Sequence, residues 1–415
     1  ESRNISLIGR KEVFMGRAKF GVFGDGKELP QVVMSKFFNN GDFRSGYYRD
    51  QTFMMAIDQL DSNQFFAQLY AHTDINFDPH SGGRQMNCHF GTRMLNDKGD
   101  WRTLTDIKNS ASDISCVSGQ MPRIVGLGYA SKLFRNNKNL SDMHNFSING
   151  NEVIFGTIGD ASTSEGHFWE SINACGVLQV PVVMSIWDDG YGISVPSEYH
   201  TTRNDLSKVL SGFQRSSKKE NGFEIFTVKA WDYEGLLNAY SSAVNYARKD
   251  HVPSIIHVKD VTQPQGHTTS GSHERYKSKE RLQWEKDFCC IKRMRSWIIK
   301  NNIADNKELD KIEKKALEKA KLARDISWKA YRKPIEEDLS NAVAIITRIA
   351  QHSPKNKMEI LKIREDLSKT LQPIKSDVYR SLKLVQRVIR SENNIAKSYL
   401  LNLIREFEKK YFNHY

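Results

Sequence analysis

Two short apolar runs, each closed by an acid, constrain this chain more than anything else in it. Residues 152–158 (EVIFGTI) run into Gly159-Asp160, and residues 180–187 (VPVVMSIW) run into Asp188-Asp189-Gly190. A helical stretch lies between them and ends near Leu178. Strand, helix and strand in so short a span imply two parallel strands, because parallel neighbours need a crossover rather than a tight turn. Ser162-Thr163-Ser164-Glu165 predicts a capping box for that helix, with Ser162 as the cap and Glu165 three residues on. The rhythm repeats with a strand at 223–228, a helix near 234–249 and a strand at 254–258. Upstream, residues 119–135 predict a helix with Ile124, Leu127, Tyr129 and Leu133 on its apolar side. The fold class expected is α/β, with a doubly wound, mainly parallel sheet.

At 415 residues the chain has room for two or three domains. We expect an N-terminal segment over 1–45 with glycine-rich turns at Gly21, Gly24 and Gly26, the α/β domain over 46–283, and a basic, all-helical extension over 284–415. In the extension glycine disappears and Lys, Glu, Leu, Ile and Ala dominate, with breaks expected at Pro334, His352-Ser353-Pro354 and Pro373. Its stretch 394–411 is amphipathic, suited either to covering another domain or to docking a partner.

Charge and cysteine content narrow the class. The net charge is +12, yet residues 1–290 hold 32 Lys/Arg against 33 Asp/Glu, and residues 291–415 hold 29 against 16. The whole excess lies in the helical third, where a solvated helix face or an acidic protein partner accounts for it better than nucleic acid, since no recognition motif accompanies it. No apolar run approaches the roughly 20 residues of a membrane-spanning helix. The five cysteines, Cys88, Cys116, Cys175, Cys289 and Cys290, are odd in number and lack finger spacing. They argue for a reducing compartment, and the cytoplasm is the expected location.

The two acids carry the chemistry. Asp160 and Asp189 each follow a strand, so a βαβ unit brings both to the carboxyl edge of the sheet, where ligands of such folds bind. Hard oxygen ligands there suit Mg²⁺ or Ca²⁺, with a phosphate completing the shell. A single Gly-Asp after a strand is more often a turn with a helix cap. The second acid and Gly190-Tyr191-Gly192 move the balance toward a metal.

The run from Gly159-Asp160-Ala161 to Asp188-Asp189-Gly190-Tyr191 resembles the thiamine diphosphate motif, which opens on Gly-Asp-Gly or Gly-Glu-Gly and closes on Asn-Asn. It is most similar to the alpha subunit of the decarboxylating component of 2-oxoacid dehydrogenase complexes. Four further stretches agree, in the family's order: Tyr47-Tyr48-Arg49-Asp50, Gly83-Arg84-Gln85-Met86 through His89, Ser115-Cys116-Val117 through Gln120-Met121-Pro122, and Gly266-His267-Thr268 through Tyr276. The resemblance covers about residues 40–285 and is nearest to the branched-chain type.

The resemblance implies a fold of the thiamine diphosphate-binding type and a role for each matching residue. Asp160, Asp189 and the carbonyl of Tyr191 would hold Mg²⁺. Tyr48, Arg49 and His267 would contact the diphosphate, and Ser115 and Val117 the aminopyrimidine end. Gly159, Ala161 and Glu165 belong to the same cofactor-binding stretch. His89 and His267 would line the entrance as catalytic residues. The implied reaction is oxidative decarboxylation of a 2-oxoacid, with acyl transfer to a lipoyl-bearing acyltransferase. A beta subunit would supply the glutamate that activates the cofactor. No stretch of 284–415 resembles a beta subunit, so either the protein continues into a beta-like half or the basic helices dock a separate one. A hetero-oligomer, or a homodimer of a fusion, is expected. The alternatives are a cofactor-binding scaffold without activity of its own and another thiamine enzyme, such as an acetoin-cleaving one. Departures from the motif are Asp189 where Asn is usual, Ala161 for the second glycine, and Gln51 for the histidine of pyruvate-type enzymes.

Overall fold

A computed structural model describes residues 1–269 and 272–412. The chain divides into two compact units, Glu1–Arg324 and a second from Asp325 on. The first is built on a six-stranded sheet whose strand pairs are all parallel. In chain order the strands are β1 (Phe43–Ser45), β2 (Asn109–Ser110), β3 (Ile154–Gly159), β4 (Val182–Trp187), the two-residue strands β5 (Tyr191–Gly192) and β6 (Val195–Pro196) of a separate hairpin, β7 (Glu224–Lys229) and β8 (Ser254–Lys259). The sheet order is β2-β1-β3-β4-β8-β7. From β1 the chain steps outward to β2, then returns to the other side of β1 for β3. The direction of winding therefore reverses between β1 and β3, the kind of switch point at which open α/β sheets bind ligands.

Burial on both faces explains the predominantly apolar sequence of β3 and β4. One face packs on the helices Met121–Asn136 and Gly166–Leu178 through Met121, Ile124, Ile158, Phe168, Ile172, Met184 and Ile186. The opposite face meets the helices Glu28–Ser35 and Tyr233–Asn245, where Ser185 Oγ lies 2.7 Å from the Tyr240 hydroxyl and 3.6 Å from Met34 Sδ. Helices on both faces make the sheet doubly wound, in the manner of the thiamine diphosphate-binding fold.

Three local expectations are corrected. The capping box at Ser162 does not form: Ala161–Ser164 is a 3-10 turn, and the following helix begins at Gly166 with Glu165 as its uncapped N-cap. Ser162 is taken up in that 3-10 turn, four residues before the helix begins, too far back to cap it. In the helix Met121–Asn136, Tyr129 and Leu133 are exposed, and the buried side carries Met121, Ile124, Gly128 and Ser131. Pro334 does not break its helix, which runs Asn306–Gln351. The chain is held on both sides of the proline, by buried Ile335 and by an Arg332 hydrogen bond to the Pro373 carbonyl.

The lysine-rich composition starts near residue 284, but compactness changes only after Arg324, because the helix Cys290–Lys300 packs against Glu28–Ser35. The second unit has a core of its own. Ile346, Ile349, Ile360, Leu367, Val378, Leu382, Val385, Leu400 and Ile404 meet there from successive helices. The amphipathic helix Lys397–Tyr411 thus buries its apolar side within its own unit. The breaks at His352–Pro354 and Pro373 are present, between Gln351 and Lys357 and between Lys369 and Lys375.

Candidate functional site

The residues that end β1, β3 and β4 converge on one cavity of about 440 Å³ at the carboxyl edge of the sheet. Its walls include Tyr48, Arg49, Val117, Gly159, Asp160, Ala161, Glu165, Asp189, Tyr191 and His267. Gly159 pairs with Trp187 across β3 and β4, so Asp160 emerges level with Asp188, one residue short of Asp189. The turn after β1 must pass close to buried side chains. A Cβ on Gly46 would fall 1.9 Å from an Asp50 carboxylate oxygen, so only glycine lets Tyr47, Tyr48 and Arg49 reach the cavity.

Two aspartates share the floor in opposite electrostatic states. Asp189 Oδ2 lies 3.2 Å from His267 Nε2 and 3.5 Å from Lys27 Nζ, and its Oδ1 accepts the Tyr191 backbone N–H at 3.2 Å. Burial would raise its pKa, but His267, Lys27 and Arg49 together hold the carboxyl far below the usual range. Asp160 is buried, and its Oδ2 has no hydrogen-bond partner. Burial, reinforced by the charges of Asp189 and Asp188, pushes its pKa well above the usual range. An orphaned carboxylate oxygen beside an ionised neighbour is unfavourable without a cation and favourable with one. Among the described residues no cluster of three or more His, Cys, Asp or Glu is arranged for a metal. A cation here would draw on two carboxylates and backbone oxygen, a donor set that suits Mg²⁺ and leaves room for phosphate.

Arg49 is 4% exposed, donates to the Phe23 carbonyl at 2.7 Å and to the His267 carbonyl at 3.0 Å, and lies over the Tyr48 ring. These bonds account for two of its five N–H donors and aim the guanidinium across the cavity. His267 stands on the loop after β8; Ser270 and Gly271 of that same stretch lie outside the described residues. Its Nδ1 is buried and unpartnered, and burial pushes its pKa down. Val117 is half exposed on the rim. His89 and Ser115 do not line the cavity: His89 is buried behind Tyr48, and Ser115 is exposed. His89 is 2% exposed, stacks near Tyr48 and lies 3.0 Å from Ser115 Oγ through Nε2. Its Nδ1 faces the Asn87 carbonyl at 3.2 Å, so Nδ1 carries the proton and Nε2 accepts from Ser115. Gln51 turns away from the cavity, toward Ser2 and Ser6 of the first helix.

Sequence reasoning missed two residues that organise this site. Arg44 on β1 is fully buried and bonds Asp50, Asp113, Ser110 and the Tyr47 carbonyl. It ties the Tyr47–Arg49 turn to the loops carrying Phe90 and Ser115. Lys27 is the other, held against Asp189 from outside the cavity wall. An arginine between Phe43 and Ser45 and a lysine after a glycine-rich turn both look like surface residues in one dimension.

A doubly wound parallel sheet with paired acids, an arginine and a histidine at its switch point defines an α/β fold of the thiamine diphosphate class. The sequence pattern of the family described as dehydrogenase E1 component matches residues 3–336, and the chain belongs to that family, which depends on thiamine diphosphate. Over 265 residues it is 27% identical to the pyruvate dehydrogenase E1 component subunit alpha of Rickettsia bellii (strain RML369-C), covering 63% of this chain and 72% of that protein. Over 361 residues it is 24% identical to the mitochondrial 2-oxoisovalerate dehydrogenase subunit alpha of Macaca fascicularis, covering 86% of this chain and 69% of that protein. The Homo sapiens counterpart is likewise 24% identical, over 359 residues. The chain is thus similar to E1 alpha subunits of 2-oxoacid dehydrogenases.

Proposed function

We propose that this chain is the alpha part of a 2-oxoacid dehydrogenase E1 that binds thiamine diphosphate through Mg²⁺ and passes an acyl group to a lipoyl-bearing acyltransferase. The observation that carries the proposal is the orphaned Oδ2 of Asp160 beside ionised Asp189. Asp160, Asp189 and the Tyr191 carbonyl would hold the metal, and Arg49, Tyr48 and His267 the diphosphate. Bound there, the cofactor would supply the carbanion chemistry and electron sink of decarboxylation. The protein's own residues orient and enclose. Val117, Ala161 and Glu165 shape the wall, and Ser115 with His89 fixes the Tyr48 side. His267 is the candidate to meet substrate, because it lines the cavity. His89 supports from behind.

A branched-chain 2-oxoacid is the substrate class favoured, on the motif resemblance and the longer match to 2-oxoisovalerate dehydrogenase subunits. A beta half, separate or fused, would complete the site with its activating glutamate. The five cysteines are all free, which supports a reducing, cytoplasmic setting. No described helix is long and apolar enough to cross a membrane.

Calorimetry of thiamine diphosphate binding, with and without Mg²⁺, tests this on the chain combined with its beta half. Mg²⁺-dependent binding in wild type and at least tenfold weaker binding by Asp160→Ala is expected. Absence of binding in wild type would overturn the reading and leave a scaffold subunit.

A further inference from the structure

Lys27 is 1% exposed, and its surroundings are built to receive it. Its Nζ donates to Gln263 Oε1 at 2.6 Å and lies 3.5 Å from Asp189 Oδ2. The Gln263 amide is itself fixed: its nitrogen faces Asp25 Oδ1 at 3.3 Å and the Phe23 carbonyl at 3.4 Å, which turns its oxygen toward Lys27. Asp25 also accepts from the backbone and side chain of Gln265, both at 3.1 Å. The turn that delivers Lys27 requires Gly26. There φ is +95°, and a Cβ would sit 1.8 Å from the Thr262 carbonyl oxygen. The chain thus commits a turn that only glycine can make, an acid and two amides to placing one ammonium behind Asp189.

Lys27 does not line the cavity, whereas Asp189 does. At 3.5 Å the ion pair is longer than the roughly 2.7–2.9 Å of a charge-assisted hydrogen bond. Lys27 therefore adds a counter-charge to Asp189 without clamping it, behind the oxygen that His267 Nε2 meets at 3.2 Å from the cavity side. Two buried aspartates facing one small space would otherwise repel each other, and a second acid raises the cost of the empty site.

We propose that Lys27 is a positioning residue which supplies, from behind the cavity wall, the counter-charge that lets Asp160 and Asp189 share one cation site. The inference rests on the thiamine diphosphate reading above. It makes Lys27 and Asp189 a coupled pair: with His267 and Arg49 in place, an aspartate at 189 gains from the lysine, and an asparagine at 189 does not.

A double-mutant cycle tests this on the chain combined with its beta half. Wild type, Lys27→Met, Asp189→Asn and the double variant are compared for Mg²⁺-dependent thiamine diphosphate affinity and for thermal midpoint without ligand. Lys27→Met is expected to weaken binding at least tenfold and to lower the midpoint. The double variant is expected to bind at least fivefold more tightly than Lys27→Met and to regain most of the midpoint. If Lys27→Met does not fold, a double variant that folds and binds carries the same conclusion. Multiplicative losses in the double variant, or its failure to fold or bind, would overturn the proposal, because Lys27 would then be holding the turn and not the charge. A wild type that fails to bind the cofactor would instead overturn the reading beneath it.

Discussion

Removing the Arg44 guanidinium should cost more stability than any other single polar deletion near the site. Arg44 is fully buried, with Nε 2.8 Å from Asp50 Oδ2 and one terminal nitrogen 3.0 Å from Asp113 Oδ2. At an effective dielectric constant of about 20, each contact near 3 Å is worth roughly 5 kcal/mol of Coulomb attraction. Desolvation of the three ions cancels much of that, and losing one partner of such a buried pair typically costs about 3–5 kcal/mol. Arg44→Met keeps the buried length and removes only the charge and the hydrogen bonds. Its unfolding free energy in urea at pH 7 should fall by about 3–5 kcal/mol. The deficit should grow with pH. Burial already raises the Asp50 carboxyl, and the variant loses the guanidinium that opposes this rise. A raised folded-state pKa means stability present at low pH is lost as the carboxyl ionises. Adding Asp50→Asn and Asp113→Asn should recover more than half the loss, since no lone charge then stays buried. A deficit below about 1 kcal/mol for Arg44→Met, in the range of an exposed ion pair, would refute this reasoning.

Two further outcomes follow from other parts of the molecule. His251 donates from Nε2 to the Gly150 carbonyl at 2.8 Å, and burial pushes its pKa down to about 4. The unfolded imidazole protonates near pH 6.5, so stability is unaffected above that pH and falls as pH drops toward 4, by on the order of 1–2 kcal/mol after solvent screening. His251→Asn tolerates the left-handed backbone at φ +53° and should lessen that pH dependence; equal differences between pH 7 and 4.5 in urea midpoints for wild type and variant would count against it. Leu382→Ala empties a fully buried position in the second unit's core and should lower its stability by about 2–4 kcal/mol in differential scanning calorimetry and urea titration. A loss under 1 kcal/mol would mean the helices do not share one core.

The placement of Asp160 and Asp189 at one sheet edge was legible from the sequence because each follows an apolar strand of a βαβ unit, whereas Arg49 and His267 stood out only through the motif resemblance; the fold brings all four to one cavity. Apolar runs between glycines predict the strands, and the acids that follow them must surface at one edge. The loss of glycine and the dominance of Lys, Glu, Leu, Ile and Ala likewise announced the helices of the second unit. What the sequence could not decide was everything that depends on approach from a distance. Lys27 lies 162 residues from Asp189 and 236 from Gln263, and Arg44 reaches Asp113 69 residues on. A buried cation and a solvated one have the same letter, and only the closed fold removes the water that separates them energetically. The same reason governs Pro334, Tyr129 and Ser162. Propensity assigns a proline a break, an aromatic a core and a serine a cap. Packing around Ile335, the face of the helix Met121–Asn136 that meets the sheet and the 3-10 turn after β3 decide otherwise. Sequence determined the strand edge at which the two acids emerge, whereas tertiary structure determined which charges stand behind it, because burial energies depend on neighbours that sequence order does not specify.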